Sequence, residues 1–194
     1  MNGADEALWA GGPFDPRALF RREAPLEVEI GSGKARFLVA AARANPEHDF
    51  LGLERALSYF RICRERVAKA GLSNAAILRA DAALFLGSLL PASVAAFHVY
   101  FPDPWPKKKQ IKRRFLDAVS LESLSSRLLP GGTLRIATDH PGYGRAIRSH
   151  LETVGSLERL EWEALPPPPP TNYEIKYAAE GRPIWRFLLR RREP

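Results

Sequence analysis

The fold is decided by residues 26–44, LEVEIGSGKARFLVAAARA. The apolar residues at 26–30 predict a buried strand, the Gly31-Ser32-Gly33 sequence predicts a turn, and the helical spacing of apolar residues in 34–44 predicts a helix. A strand that passes through a glycine turn into a helix is the first half of a βαβ unit. This segment therefore indicates an α/β architecture.

The same alternation continues along the chain. Further strands are predicted at 50–53, 75–78, 94–101, 133–137, 157–162 and 184–189, with helices at 57–70, 82–90, 111–129 and 143–154. Alternating strands and helices favour right-handed crossovers and a mainly parallel sheet. We therefore predict a Rossmann-like α/β fold with a central sheet of about seven strands and helices on both faces.

The chain has 194 residues, which is typical of one domain. We assign this domain to residues 25–194 and expect the Gly- and Pro-rich segment 1–24 to be partly disordered. The prolines at 166–170 predict an extended surface spacer within the domain. No internal repeat is evident.

Charge is the unusual bulk property. The formal net charge is +7 and the pI is near 9.8, so an anionic partner is expected, with nucleic acid ahead of a membrane surface. The N-terminus lacks signal-peptide features, and no apolar stretch has the roughly 18 to 20 residues needed to cross a bilayer. A cytoplasmic protein is expected.

The four histidines and the single Cys63 show no metal-ligand spacing, so no metal is expected, and Cys63 is predicted to be a buried thiol.

A stiff loop precedes a strongly basic segment. Residues 101–106 read FPDPWP, and their three prolines restrict the backbone around Asp103 and Trp105. Six of the eight residues 107–114 are Lys or Arg, which fits contacts to phosphates. The alternative is a solvated basic helix face. Trp105 either stacks on a base or seals the loop onto the core.

The glycine turn lies where open α/β sheets bind nucleotides, at the carboxyl end of the first strand. Glu54 ends the second strand, where an acid can bind both ribose hydroxyls of either NAD or S-adenosylmethionine. The third glycine of the dinucleotide motif is absent, because Arg36 occupies its position. Glu29 would repel a phosphate but can accept a hydrogen bond from an ammonium group. Both observations favour S-adenosylmethionine. Asp81 is predicted to meet the adenine amine, to cap the next helix, or to do both.

Four motifs together resemble one family. They are FPDPWPK at 101–107 with KRR at 112–114, EIGSG at 29–33, ATD at 137–139 and TNYE at 171–174. In this order they resemble the bacterial tRNA (guanine-N7-)-methyltransferases of the TrmB type, over about residue 25 to the C-terminus. The resemblance implies the class I methyltransferase fold, S-adenosylmethionine as methyl donor, tRNA as partner and 7-methylguanosine as product, with the guanine at tRNA position 46 in the variable loop as the expected target.

The resemblance also implies roles for particular residues. Asp103 is the expected catalytic residue, and the expected donor contacts are Glu29, Glu54, Asp81 and Asp103, beside Gly31 and Gly33 of the turn. The expected substrate contacts are Lys107, Asp139, Thr171, Asn172, Tyr173 and Glu174. The basic cluster expected to hold the RNA backbone contains Lys109, Lys112, Arg113 and Arg114. The chain departs from many relatives at Ala35, where they carry a third glycine.

Other functions compatible with the residues are a class I methyltransferase acting on protein or a small molecule, and an RNA-binding protein without catalytic activity. The basic segment beside Asp103 disfavours the first, and donor binding would exclude the second. A nicotinamide-dependent oxidoreductase ranks last. A monomer is favoured over an oligomer.

Overall fold

The computed structural model describes residues 11–193. Seven strands form one sheet: β1 Leu26–Ile30, β2 Asp49–Leu53, β3 Ala75–Leu78, β4 Val94–Tyr100, β5 Leu128–Thr138, β6 Leu157–Leu160 and β7 Trp185–Arg191. The strand order is β3-β2-β1-β4-β5-β7-β6, and all pairs are parallel except the two that β7 forms with β5 and β6. The α/β class and the mainly parallel seven-stranded sheet are thus confirmed.

Helices cover both faces of the sheet. They are α1 Pro16–Phe20, α2 Arg36–Ala44, α3 Leu57–Ala70, α4 Ala82–Leu86, α5 Ala118–Arg127, α6 Pro141–Leu151 and α7 Asn172–Ala179, with 3-10 helices at Lys108–Arg113 and Trp162–Ala164. Val28 and Ile30 of β1 pack with α4, α5 and α6 in one apolar cluster. The opposite face packs against α2 and α3 in a second cluster. Because side chains alternate along a strand, Glu27 and Glu29 point to the second face.

The predicted long helix at 111–129 is wrong. The chain forms the 3-10 helix Lys108–Arg113, then an extended segment, and then α5, which begins after Asp117. Two tertiary contacts hold the extended segment: Arg114 Nε donates to the Pro104 carbonyl at 2.7 Å, and the Leu116 amide donates to the Tyr143 hydroxyl at 2.9 Å. The Asp117 side chain then accepts from the Ser120 amide and caps α5.

Strand β5 is longer than predicted. It begins at Leu128 and includes the Pro130-Gly131-Gly132 sequence, which lies between the helix predicted at 111–129 and the strand predicted at 133–137. The pairing with β4 shifts between Leu128 and Thr133, so these residues form an irregularity inside the strand, with Gly131 at φ +75°. Glycine suits such a bulge because it adopts positive φ without a steric penalty.

Near its C-terminal end the described chain departs from the prediction in two places. Strand β6 stops at Leu160, and the predicted strand residue Trp162 begins a 3-10 helix. Helix α7, directly after the proline spacer, was not predicted. Its signal was present, because Thr171 and Glu174 have the spacing of a helix N-cap, and the Thr171 hydroxyl accepts from the Glu174 amide at 3.0 Å.

The structure describes the N-terminal segment from residue 11 onward. Partial disorder was expected for residues 1–24. Residues 1–10 lie outside the described residues, and residues 11–24 include α1. Phe14 packs edge-on against Phe85 of α4, and Phe20 is buried. Arg22 donates to the buried Asp49 carboxylate at 2.7 Å, which fixes the approach to the sheet.

Two features are absent from residues 11–193. None of the helices there is long and apolar enough to cross a bilayer. No group of three or more His, Cys, Asp or Glu side chains in this range is arranged to hold a metal ion. That the protein uses no metal stays a prediction.

Candidate active site

An open cleft of about 1320 Å³ lies at the carboxyl ends of β1 to β4. Most of the predicted site residues line it: Glu29, Gly31, Gly33, Glu54, Asp81, Asp103, Arg113, Arg114, Thr171, Asn172 and Tyr173. Five others do not: Lys107, Lys109, Lys112, Asp139 and Glu174. The fold thus gathers residues that are up to 144 positions apart in sequence, from Glu29 to Tyr173.

The glycine turn forms one wall of the cleft. Gly31 and Gly33 have φ of +81° and +55°, and both face open space, so the backbone is accessible to a ligand. Glu54 Oε2 accepts from the Gly33 amide at 2.9 Å, which ties the turn to β2. Ala35 is buried and has φ of +55°, a conformation that favours glycine. The departure at Ala35 therefore puts strain in the backbone immediately before α2.

Glu29 lies under the turn and is buried. Its Oε2 atom is fully enclosed and has no hydrogen-bond partner among the described residues. Burial raises the pKa of this carboxyl from 4.5 to about 8, and the nearby Glu54 carboxylate adds to the increase. An unpartnered carboxyl of this kind suits a cationic hydrogen-bond donor, because such a donor supplies both a partner and a compensating charge.

Glu54 and Asp81 keep acceptor capacity toward the cleft. The second oxygen of Glu54 accepts from the Ala56 amide at 2.9 Å, and each carboxylate oxygen has a further lone pair. Asp81 caps α4 by accepting from the Ala83 amide at 3.0 Å, and Arg55 lies 3.5 Å from its other oxygen. The helix cap expected for Asp81 is thus present, in a residue that also lines the cleft.

The loop that presents Asp103 forms the facing wall. Phe101 and Trp105 have φ of +52° and +40°, which is rare for bulky residues and marks a strained backbone on both sides of Asp103. The Arg114 guanidinium holds the Pro104 carbonyl, and Arg113 lies over the Trp105 ring at 5.2 Å. The loop is therefore fixed by tertiary contacts as well as by its prolines, and the exposed Asp103 carboxylate is presented at a defined position.

The basic segment divides into two parts. Lys107, Lys109 and Lys112 are exposed on the rim beside the cleft. Arg113 and Arg114 line the cleft and pack on aromatic rings, with Arg114 lying 4.7 Å from the centre of the Tyr143 ring. These two arginines position the Asp103 loop, while the lysines are available to meet a polyanion.

Helix α7 lies at the cleft, and ion pairs hold both the helix itself and the chain that follows it. Arg186 donates to Glu174 at 2.7 Å, and Arg182 donates to Asp139 at 3.2 Å. Glu174 and Asp139, both expected as substrate contacts, are thus engaged in ion pairs that hold α7 and the segment after it. Tyr173 remains nearly half exposed while its ring packs on Phe101 and Tyr177.

The sequence analysis did not identify some of the residues that line the cleft. Tyr59 and Tyr100 both line it, on α3 and at the end of β4. Tyr59 lies close to Tyr173: partial burial raises the pKa of Tyr173, and the neighbouring Tyr59, Asp103 and Glu54 raise it further. The signal for Tyr100 was its place at the carboxyl end of a buried strand, where parallel sheets bind ligands.

The arrangement fits S-adenosylmethionine. The turn gives backbone access, Glu54 offers acceptors for ribose hydroxyls, and Glu29 offers an enclosed acceptor for the methionine ammonium. Asp81 and the apolar side chain of Leu86 lie on the same wall, where an adenine can be held. No phosphate-binding cradle is needed for this ligand.

Comparisons with known proteins identify the family of the chain. A family model described as "Putative methyltransferase" matches residues 23–187. The chain is 34% identical over 189 residues to the tRNA (guanine-N(7)-)-methyltransferase of Thiobacillus denitrificans, covering 93% of this chain and 83% of the relative. It is 35% identical over 190 residues to the enzyme of the same name from Halorhodospira halophila, covering 93% and 81%.

Solved structures support the fold. A 30S ribosomal A1408 methyltransferase from an uncultured bacterium superimposes with a TM-score of 0.64 at 15% identity, covering 93% of this chain and 98% of that chain. A SAM-dependent O-methyltransferase from Thermotoga maritima gives 0.60 at 14% identity, covering 91% and 63%. These likenesses confirm the class I methyltransferase fold. The family model and the relatives confirm the resemblance to one family, and the chain belongs to the tRNA (guanine-N7-)-methyltransferase family.

Proposed function

We propose that this chain transfers a methyl group from S-adenosylmethionine to N7 of a guanine in tRNA, and that the target is the guanine at position 46 in the variable loop. The observation that carries the proposal is the placement of an exposed carboxylate, Asp103, opposite the Glu29 and Glu54 wall of one cleft, with an exposed lysine rim beside it. Membership of the family supports the same reaction.

The reaction depends on the alignment of the methyl donor with guanine N7 more than on the removal of a proton. S-adenosylmethionine, when bound, supplies a methyl group on a positively charged sulfur. Guanine N7 has an in-plane lone pair in the neutral base, so the chain needs no general base to free it. Holding the two reactants in line contributes roughly 7 to 11 kcal/mol in favourable cases.

Asp103 is the group that orients the base and stabilises its charge. A guanine that gains a methyl at N7 becomes cationic, and a fixed carboxylate stabilises that charge. The same carboxylate can accept from the guanine N1–H and exocyclic amine, which distinguishes guanine from adenine. The strained, arginine-clamped loop keeps Asp103 in place for both tasks.

The tRNA base must leave its stack to reach the cleft, at a cost of a few kcal/mol. Contacts between phosphates and the exposed lysines Lys107, Lys109 and Lys112 offset this cost. Tyr59 and Tyr173, each exposed by more than 40%, line the same cleft as Asp103 and offer ring faces on which a purine can stack. Arg113 lies over one face of the Trp105 ring, which favours a role for Trp105 in sealing the loop over a role in stacking on a base.

Substituting Asp103→Asn tests the role of the carboxylate. We expect turnover to fall by roughly 100-fold, because a preorganised charge at the reacting base is removed. The affinity for S-adenosylhomocysteine should change by less than about threefold, since the donor wall on β1 and β2 is intact. Calorimetry and single-turnover methylation measure the two quantities, and unchanged turnover would refute the assignment.

A substrate comparison tests the reaction itself. Purified chain is incubated with labelled donor and a tRNA transcript, its Gua46→Ade counterpart, bulk protein and a small-molecule mixture. We expect label only in the transcript with guanine at position 46, released as 7-methylguanosine. Label in protein or small molecules would favour the rival methyltransferase functions, and label in both transcripts would move the target to another guanine.

A tRNA substrate also favours a cytoplasmic enzyme. A monomer is favoured because one chain carries both the donor wall and the substrate wall of its cleft. Sedimentation of the chain with and without tRNA tests the oligomeric state. A stable dimer of the free chain would contradict this part of the proposal.

A further inference from the structure

Helix α7 presents Asn172 and Tyr173 to the cleft but is not part of the core. The structure describes all 8 of its residues, and none of them is buried. A helix of this length is not stable by itself in water, so its position depends on tertiary contacts. Tyr173 and Tyr177 pack on Phe101 of the Asp103 loop, with 5.9 Å and 5.5 Å between ring centres. Further contacts come from β7 and from the segment that precedes α7.

Arg135 on β5 is a buried cation. Only 6% of the residue is exposed, and its Nη1 atom is enclosed without a hydrogen-bond partner among the described residues. Burial lowers the pKa of the guanidinium, yet the group stays charged because arginine does not release its proton in proteins. Its Nη2 atom donates to the Pro166 carbonyl at 2.9 Å. A buried charge is costly unless neighbouring groups compensate it.

Polar side chains beside Arg135 compensate part of this cost. His98 is its register partner across β4 and β5, and a network of side chains extends from His98 on the same face of the sheet. In this network His98 Nε2 lies 2.7 Å from Glu27 Oε2, and His98 Nδ1 lies 3.0 Å from the Tyr100 hydroxyl. Against the larger effect of burial, the Glu27 carboxylate raises the pKa of Arg135 and so favours its charged form. The compensation is partial, because no carboxylate among the described residues forms an ion pair with this guanidinium.

Trp162 provides a further compensating group. This residue begins the 3-10 helix after β6, and the Arg135 guanidinium lies 5.0 Å from the centre of its ring. Arg186 of β7 lies 5.9 Å from the same ring. Arg186 is the register partner of Ala137, so it is on the same face of the sheet as Arg135. A cation over an aromatic face is attracted to it, and more strongly where water is excluded. Two cations from neighbouring strands thus hold Trp162.

These three side chains, Arg135, Trp162 and Arg186, are connected to α7 in two ways. Arg186 donates to Glu174 of α7 at 2.7 Å. Arg135 holds the carbonyl of Pro166, the first of the prolines at 166–170 that lead to Thr171, the N-cap of α7. Proline-rich segments are semi-rigid spacers, so a fixed carbonyl at one end limits where the helix can begin at the other.

We infer that Arg135, Trp162 and Arg186 form an anchor that positions α7 at the cleft, and that they are positioning residues for the binding of the tRNA base. The inference rests on the proposed function, in which Tyr173 of α7 offers a stacking face to the guanine. It gives a role to three residues outside the four sequence motifs. None of the three is among the residues that line the cleft, so they act through α7.

Trypsin reports whether α7 is held, because Lys176 lies inside the helix and must leave it to be cleaved. Arg135→Met removes the bond to Pro166 and fills a similar volume with apolar atoms. Trp162→Leu removes the aromatic face, whereas Trp162→Phe keeps one. We expect cleavage after Lys176 to be roughly fivefold faster in Arg135→Met, Trp162→Leu and Arg186→Gln, as for the loss of a cation–π contact, and within about twofold of wild type in Trp162→Phe.

Urea titration of the same variants separates global unfolding from local release of α7. Arg135→Met removes a buried charge that has no ion pair, which offsets the lost contacts, so its urea midpoint should not fall. Arg159→Gln is the matched control: its guanidinium lies 5.7 Å from the Phe187 ring, so the substitution removes a cation–π contact that does not involve the anchor. Cleavage after Lys176 should not change in this control. Unchanged cleavage in the three anchor variants, the same acceleration in Arg159→Gln, or a lower midpoint with faster cleavage at every site would overturn the inference.

Steady-state methylation connects the anchor to the substrate. We expect the KM for tRNA to rise roughly fivefold or more in Trp162→Leu and Arg186→Gln, because stacking of a base on an aromatic ring contributes at least this much to binding. Trp162→Phe should recover most of the affinity. Calorimetry with S-adenosylhomocysteine should show the same affinity in all variants, because the donor wall on β1 and β2 is unchanged. Faster cleavage after Lys176 with an unchanged KM would overturn the role in tRNA binding.

Failure of this inference is distinguishable from failure of the proposed function. A wild-type chain that methylates tRNA, with anchor variants that keep the wild-type cleavage rate and KM, overturns the inference alone. A wild-type chain that labels no tRNA overturns the proposed function and with it the role in tRNA binding. The trypsin comparison needs no substrate, so it still decides whether the anchor positions α7.

Discussion

Glu29 is a residue whose burial lowers the stability of the folded chain and leaves a hydrogen-bond acceptor for a ligand. Its pKa is about 8 in the folded chain and near 4.5 when unfolded. Folding therefore retains a proton that the unfolded chain releases between these values, so the stability that this group contributes is full below pH 4.5 and is lost as the pH rises through 8. A buried acceptor without a partner among the described residues is kept at a cost to the free protein.

We predict that Glu29→Gln flattens this dependence. As the pH rises from about 5 to about 9, the variant should gain stability relative to wild type by several kcal/mol, on the order of the pKa difference. Urea midpoints of both proteins across this range provide the measurement. Parallel pH profiles would show that the carboxyl is already ionised in the free chain.

Asp103 illustrates what residue chemistry alone predicted and what it did not. The prolines around it indicated a stiff loop, and the structure shows in addition positive φ at Phe101 and Trp105 and a clamp from Arg114. Dihedral strain and a tertiary hydrogen bond are not encoded in local composition. The side-chain network of Glu27, His98 and Tyr100 was missed for the same reason, since its members meet only after β1 and β4 pair.

At the scale of elements, the order of strands and helices was predictable because hydrophobic periodicity is local. The errors came where tertiary contacts override it. The apolar pattern of 111–129 continues through Leu116, yet the bond from Leu116 to the Tyr143 hydroxyl keeps that residue extended. Helix α7 was missed although its N-cap signal was present, because the preceding prolines indicated a loop.

The packing of α6 on β7 gives a prediction at this scale. A Cβ on Gly144 would lie 2.5 Å from the Trp185 ring, whereas a Cβ on Gly142 of the same helix would lie 3.2 Å from the His140 ring. We expect Gly144→Ala to destabilise the chain by roughly 1 to 3 kcal/mol through overpacking. Gly142→Ala is the matched control and should be nearly neutral, because alanine also favours the helix.

Thermal and urea unfolding of both variants, with circular dichroism as the readout, tests this pair. Equal stability of the two variants would mean that Trp185 repacks freely. Since Trp185 also carries Arg148 over its ring at 4.9 Å, such freedom is not expected.

For the whole molecule, the charge distribution determines how the chain meets RNA. The formal net charge is +7, and the exposed lysines 107, 108, 109 and 112 concentrate part of it on the rim of the cleft. The arginines near the C-terminus are engaged elsewhere: Arg190 lies 3.7 Å from Glu158, and Arg192 donates to the Gly155 carbonyl. The lysine rim is thus the surface suited to bind phosphates.

Replacing these four lysines with Gln should weaken tRNA binding and reduce its salt dependence. For every lysine–phosphate ion pair that the substitutions remove, the slope of log affinity against log salt should become shallower by roughly 0.7 to 0.9. Arg43→Gln with Lys69→Gln, at the ends of α2 and α3 away from the cleft, is the control and should leave the slope nearly unchanged. Filter binding at several salt concentrations measures both, and an unaltered slope in the lysine variant would place the RNA elsewhere.

The single cysteine of the molecule, Cys63, is in contact with the glycine turn. Cys63 is fully buried, donates to the Gly33 carbonyl at 3.0 Å, and has its pKa raised to about 12 by burial, with the Glu29 and Glu54 charges adding to the effect. Aromatic disulfide reagents can react with it only when the turn opens and the sulfur ionises. The rate of thiol labelling therefore reports how often the turn opens. Saturating S-adenosylhomocysteine should slow this labelling by about tenfold or more. A rate that does not change with the ligand would show that ligand binding does not affect the opening of the turn.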